Sequence, residues 1–220
     1  MENRRPLATR GTWWAKQLSG FLLARGVKPN QVSLASIVMA FGTALSLVGY
    51  RSASENIQVT LLILAAIFIQ LRLLCNMLDG MLAVEGGLRS PLGDLYNDIP
   101  DRISDILTFL SVGFAIREDF LAGYGMTLGW LAALVAVLTA YLRLLGAACG
   151  TPHYFLGPMA KQHRMALMTG TLLISAFIGV PHHVDSLFAC SLFIVIFGGS
   201  FSAYRRLQAI GKCLMNKSAE

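Results

Sequence analysis

Apolar residues gather in six long stretches, roughly 31–50, 57–78, 99–116, 125–148, 166–181 and 185–204. Each approaches the ~20 residues needed to cross the hydrocarbon of a bilayer, the fifth falling somewhat short. Runs of this length in lipid close their own backbone hydrogen bonds as helices. The pattern therefore predicts an all-α integral membrane protein with six transmembrane helices. Ahead of them, residues 1–30 are polar and basic, with Trp13, Trp14, Leu18, Phe21, Leu22 and Leu23 at near-helical spacing. This segment reads as an N-terminal amphipathic helix in the headgroup layer, rings inward and cations on anionic lipid. A helix packed on the protein itself is the alternative. Pro29-Asn30 breaks the chain, and Ser33 is placed to cap the next helix. The expected organisation is an interfacial segment over 1–30, a membrane domain over 31–204 and a basic cytoplasmic tail over 205–220.

Composition sharpens the class. Of 220 residues, 55% are hydrophobic and only 14% charged, and the mean hydropathy of +0.60 lies outside the usual soluble range. The first apolar run starts behind six basic residues, too late and too long for a cleaved signal peptide. Cys75, Cys149, Cys190 and Cys213 lie far apart with no CxxC pair, and read as small buried hydrophobes. The net charge of +6 is explained by its distribution. The N-terminus, the 79–98 connection with the start of the third stretch, the 149–165 connection and the tail hold fourteen of the eighteen Lys and Arg. The opposite connections hold Arg51 and Arg117, while Arg72 and Arg143 fall inside stretches. By the positive-inside rule, both termini face the cytoplasm, as expected in a bacterial inner membrane, and no nucleic-acid partner is needed.

Against this background the run Asn76 to Asp105, NMLDGMLAVEGGLRSPLGDLYNDIPDRISD, stands apart. It holds Asp79, Glu85, Asp94, Asp98, Asp101 and Asp105, six of the twelve acidic residues. Acids at the mouth of apolar helices are costly and usually have a function or a cation to pair with. Asn76 and Asp79 share a helix face, and Gly86-Gly87 break the chain. Ser90-Pro91 is a good helix start, after which Asp94, Asp98, Asp101 and Asp105 form a stripe. Pro100 is expected to kink that helix. The donors are oxygens without Cys or His, so the fitting ion is Mg²⁺, Mn²⁺ or Ca²⁺ rather than zinc.

These residues resemble the CDP-alcohol phosphatidyltransferases, whose motif is D-x2-D-G-x2-A-R-x8-G-x3-D-x3-D. Asn76, Asp79, Gly80, Ala83, Val84, Gly93, Asn97 and Asp101 fall on its positions with every spacing kept. The KPNQVS run, Lys28 to Ser33, is similar to the PN-x-[ST] helix start of that family. The resemblance implies transfer of a phosphatidyl group from a CDP-alcohol, first CDP-diacylglycerol, to an acceptor hydroxyl, with release of CMP. It implies Mg²⁺ or Mn²⁺, one or two ions, at Asn76, Asp79, Asn97 and Asp101, with Asp98 in reach. Asp101 becomes the base on the acceptor hydroxyl, and Gly80, Ala83 and Gly93 lie against the nucleotide. A homodimer is implied as well. Basic residues in Arg143, Lys161 and Arg164 suit a phosphorylated acceptor, glycerol 3-phosphate first. His163 lies beside them, Arg102 pairs with the acidic stripe, and Arg72 braces the site from within.

Three departures from the motif change the chemistry. Asn76 and Asn97 replace aspartates and Val84 replaces the arginine, so the four ligand positions carry about −2 rather than −4. A relative that binds metal or nucleotide without turnover is the alternative reading. A cation transporter is the third, disfavoured because the acids cluster at one membrane face.

Overall fold

The computed structural model describes residues 11–88, 90–117, 119–178 and 181–217. Seven α-helices make up the described chain, without a strand among those residues. They are α1 Trp13–Ala24, α2 Pro29–Ser52, α3 Glu55–Val84, α4 Gly93–Ala115, α5 Asp119–Ala148, α6 Lys161–Ile178 and α7 Pro181–Lys217. Helices α2 to α7 occupy the six apolar stretches. Four spans, Pro29–Ser52, Glu55–Val84, Gly123–Ala148 and His183–Lys217, are long and apolar enough to cross a membrane. Helix α4 carries Asp94, Asp98, Asp101, Arg102 and Asp105 in its first half, and α6 has 18 residues and opens with Lys161 and Arg164.

The six long helices close into a ring. Helix α2 packs on α3 and α4, α3 on α6, α6 on α7, α7 on α5, and α5 on α4. The ring's centre is apolar, around Ile69, Phe109, Met165, Met168, Leu172 and Phe188. Its outer faces expose Leu45, Trp130, Leu134, Phe177 and Phe197, a surface suited to lipid rather than water. Helices α4 and α5 touch backbone to backbone: a Cβ on Gly113 would stand 2.4 Å from the carbonyl oxygen of Gly125. Only glycine permits that crossing.

Helix direction alternates along the chain, which decides where the functional side chains meet. The starts of α2, α4 and α6 and the ends of α3, α5 and α7 share one rim. Thirty residues of α3 span about 45 Å at 1.5 Å per residue, beyond a hydrocarbon core of roughly 30 Å. Part of this helix must therefore stand clear of the hydrocarbon. It stops at Gly86-Gly87, where Gly87 takes a left-handed φ of 66°.

Several helix boundaries differ from the sequence reading. Helix α2 begins at Pro29, not beyond it: proline's missing donor costs nothing at the first helical position. At its start the Lys28 amide donates to Gln31 Oε1 at 2.9 Å, and the Ser33 hydroxyl is left for a partner on another helix. Helix α4 begins at Gly93 because Ser90 accepts from the Leu92 and Gly93 amides in a turn. It then runs unbroken through Pro100. Helix α7 passes the expected end near residue 204 and continues to Lys217. Arg206 holds it there, buried and donating to the carbonyls of Leu156 and Thr139.

Helix α1 lies on the outer side of α3. Ala15, Leu18, Leu22 and Leu23 join Met77, Leu78, Met81 and Leu82 in a second apolar cluster. Trp13, Trp14 and Phe21 remain exposed on the opposite side.

Candidate active site

At the shared rim the helix ends surround a groove of about 1090 Å³. Asn76, Asp79, Gly80, Ala83 and Val84 line it from α3, and Gly93, Asn97, Asp98, Asp101 and Arg102 from α4. Arg143 reaches it from α5, Lys161 and Arg164 from α6, and His153 and Phe155 from the intervening loop. The motif residues and the three cations expected to take phosphate thus border one space.

Two layers of carboxylates differ in how they are held. Asp105 is the deeper one and is fully buried. Arg72 Nη2 donates to its Oδ1 at 2.5 Å, and Arg164 Nη2 to its Oδ2 at 3.0 Å. The same Arg72 nitrogen donates to the Asp101 carbonyl at 3.2 Å, fixing the turn of α4 that carries Asp101. Arg164 also donates to Thr139 Oγ1 at 3.1 Å and to the Met159 carbonyl at 3.2 Å. One carboxylate and two guanidinium groups therefore lock α3, α4, α5 and α6 together.

The shallower layer is Asp79, Asp101 and Asp98. Asp101 is 8% exposed; its Oδ1 accepts from Asn76 Nδ2 at 2.7 Å and from Lys161 Nζ. Arg102 stands 3.7 Å from its other oxygen. Asp98 is paired with Arg143 at 2.8 Å and with Arg102 at 3.6 Å. The Arg143 guanidinium also lies 5.6 Å above the Phe155 ring. Asp79 differs from both. It is 4% exposed, Ser33 donates to its Oδ2 at 2.7 Å, and among the described residues no cation lies within 4.0 Å of it.

That arrangement bears on metal fit. A buried carboxylate is ordinarily paired or coordinates a metal. Asp79, with the amide oxygens of Asn76 and Asn97 on the same groove, offers oxygen donors suited to one hard divalent ion. The groove is open beside Gly93, where a Cβ would meet nothing within 4 Å.

The structure separates the three basic residues expected to take phosphate. Lys161 and Arg143 are partly exposed in the groove. Arg164 is buried with both terminal nitrogens committed to Asp105, Thr139 and Met159. Sequence reasoning missed Ser33 as the partner of Asp79, and Thr139, Phe155 and Arg206 as parts of the wall. Ser33 alone carried a signal, its place in the KPNQVS run. The others sit in apolar or loop surroundings that mark no chemistry.

Comparison with known proteins places the chain. No protein-family model matches it. The inner membrane protein YnbA of Escherichia coli strain K12 is 31% identical over 150 residues, 68% of this chain and 68% of YnbA. Among solved structures, Mycobacterium tuberculosis phosphatidylinositol phosphate synthase (PgsA1) with CDP-DAG bound aligns with a TM-score of 0.71. That alignment covers 88% of this chain and 92% of the other at 18% identity. The same enzyme in complex with manganese and citrate gives 0.72 at 19% identity, covering 88% and 87%. The PgsA1 likeness is one of fold, and the likeness to an inner membrane protein agrees with the apolar outer faces of an integral membrane protein. With the motif spacing from Asn76 to Asp101 kept on that fold, the chain belongs to the CDP-alcohol phosphatidyltransferase family.

Proposed function

We propose that the chain transfers a phosphatidyl group from CDP-diacylglycerol to an acceptor hydroxyl and releases CMP. The observation that carries this reading is the convergence of Asn76, Asp79, Gly93, Asn97 and Asp101 on one rim groove that also presents Lys161 and Arg143. Relatives of the same fold include an enzyme solved with CDP-DAG bound.

Asp101 is the base. Asn76 and Lys161 hold one of its oxygens, so the carboxylate keeps a single orientation toward the groove. It takes the proton of the acceptor hydroxyl as that oxygen bonds to the phosphorus bearing diacylglycerol. The bond from this phosphorus to the bridging oxygen breaks, and CMP leaves with the electron pair. Asn76, Asp79, Asn97 and Asp101, with Asp98 adjacent, would hold Mg²⁺ or Mn²⁺. Such an ion supplies charge neutralisation on the pyrophosphate and on departing CMP. Gly80, Ala83 and Gly93 form the wall against the nucleotide, Gly93 leaving open space where a side chain would intrude.

Arg143 and Lys161 are the groove's phosphate-facing cations, which favours a phosphorylated acceptor such as glycerol 3-phosphate. Arg164 is assigned to the brace around Asp105 instead, since it is buried and its terminal nitrogens already bind Asp105, Thr139 and Met159. The rim faces the cytoplasm of a bacterial inner membrane, the six long helices cross it, and the exposed rings of α1 rest in its headgroups. The protein acts as a homodimer. The clamp of two arginines on Asp105 argues against a cation path through the ring.

CMP release in mixed micelles with CDP-diacylglycerol, Mg²⁺ or Mn²⁺ and a panel of acceptors tests the reading. Release that requires one acceptor supports it and names the acceptor. No release with any acceptor, from protein that still binds CDP-lipid, would favour the relative without turnover, to which Asn76, Asn97 and Val84 point.

A further inference from the structure

The two carboxylates left in the motif have unlike surroundings. Asp101 faces cations from three helices: Lys161 and Arg102 near its two oxygens, with Arg72 at 4.0 Å. Asp79, the other buried acid of the groove, accepts from the Ser33 hydroxyl and has no cation within 4.0 Å among the described residues. Four carboxylates at these positions would carry about −4, a charge suited to two divalent ions, whereas Asp79 and Asp101 carry about −2. Two ions beside Lys161 would leave the site strongly cationic. One ion beside Lys161 leaves an excess that the pyrophosphate takes up.

We propose that the site is built for one divalent ion, centred on Asp79, and that Lys161 supplies at Asp101 the charge a second ion would bring. This rests on the groove's reading as a phosphatidyl-transfer site, and it accounts for Asn76 and Asn97 as more than losses. The Asn76 amide donates to the same Asp101 oxygen that Lys161 contacts. An aspartate at position 76 would repel Asp101 unless a cation lay between them. The two asparagines and the lysine are therefore one compensated set: lower ligand charge, and a cation tethered to α6. A lysine suits this task because its ammonium is a compact point charge that carries three N–H donors. It lies partly exposed in the groove, where a bound pyrophosphate would meet it as well.

The test counts metal without turnover. Full-length protein in detergent is titrated with Mn²⁺ alone, and bound ion is read by electron paramagnetic resonance. Wild type is expected to bind one ion per chain, and Asp79→Asn to lose it. A variant carrying Asn76→Asp, Asn97→Asp and Lys161→Met is expected to bind two, with the spin coupling of a neighbouring pair. Lys161→Arg, which keeps the charge, is expected to hold the count at one and shows that the position tolerates change. Two ions on wild type, none on wild type, or one ion on the triple variant would each overturn the proposal. One bound ion on a protein that releases no CMP would support this count while removing the transfer reading, so the two failures are distinguishable.

Discussion

Asp105 and Asp101 lie one helical turn apart on α4, yet they are held in opposite ways. Asp105 has no exposed surface and two arginines in direct contact, so its charge is fully spent inside the protein. Asp101 opens on a groove, hydrogen-bonded to one lysine and one amide with Arg102 and Arg72 farther off, and with space beyond. The same residue type therefore serves as a brace at one level and, on the proposed reading, as the base one turn nearer the rim. Burial depth and access to the groove make the difference, not the side chain.

The largest expected effect comes from breaking the brace. Asp105→Ala leaves Arg72 and Arg164 buried without their shared partner, and removing one member of a buried ionic group costs about 3–5 kcal/mol. Thermal unfolding in detergent is expected to show a large loss of stability, with activity lost alongside it. An unaltered midpoint with activity abolished would place Asp105 in the chemistry and erase the contrast.

Next, Asp101→Asn keeps the shape and removes the base. CMP release is expected to fall by about 10²–10⁴-fold with the unfolding midpoint close to wild type. Gly93→Val should follow, as an added side chain enters open groove rather than packed core. The expected outcome is a rise in KM for the CDP-lipid of about tenfold, the scale of a misplaced methylene group or two in a pocket. The smallest effect belongs to Arg143→Met, which loses a partly exposed pair with Asp98. Stability should change by less than about 1 kcal/mol, while affinity for a phosphorylated acceptor weakens and affinity for CDP-lipid holds.

Much of the fold was legible because hydrophobic length is a direct physical requirement. All six apolar stretches are helices, and the spacing of Asn76, Asp79, Asn97 and Asp101 placed the groove's acids before any coordinates. Helix ends were less legible, since a cap depends on hydrogen bonds that composition does not show. Ser33 has the residue type of a cap but donates to Asp79, 46 positions away. Arg206 has the look of a charged stop at the membrane surface but is buried against two carbonyls. The division of labour among basic residues was hidden for the same reason. Arg143, Lys161 and Arg164 look equivalent along the chain, and only three-dimensional packing shows that Arg164 is buried with both terminal nitrogens bound to Asp105, Thr139 and Met159.

The most direct test of the central claim is CMP release from CDP-diacylglycerol by wild type and Asp101→Asn, side by side, with divalent metal and each acceptor in turn. The account predicts release by wild type that depends on one acceptor and nearly vanishes in the variant, with both proteins equally stable. Equal release from the two, or none from a wild-type protein that binds the lipid, would contradict it.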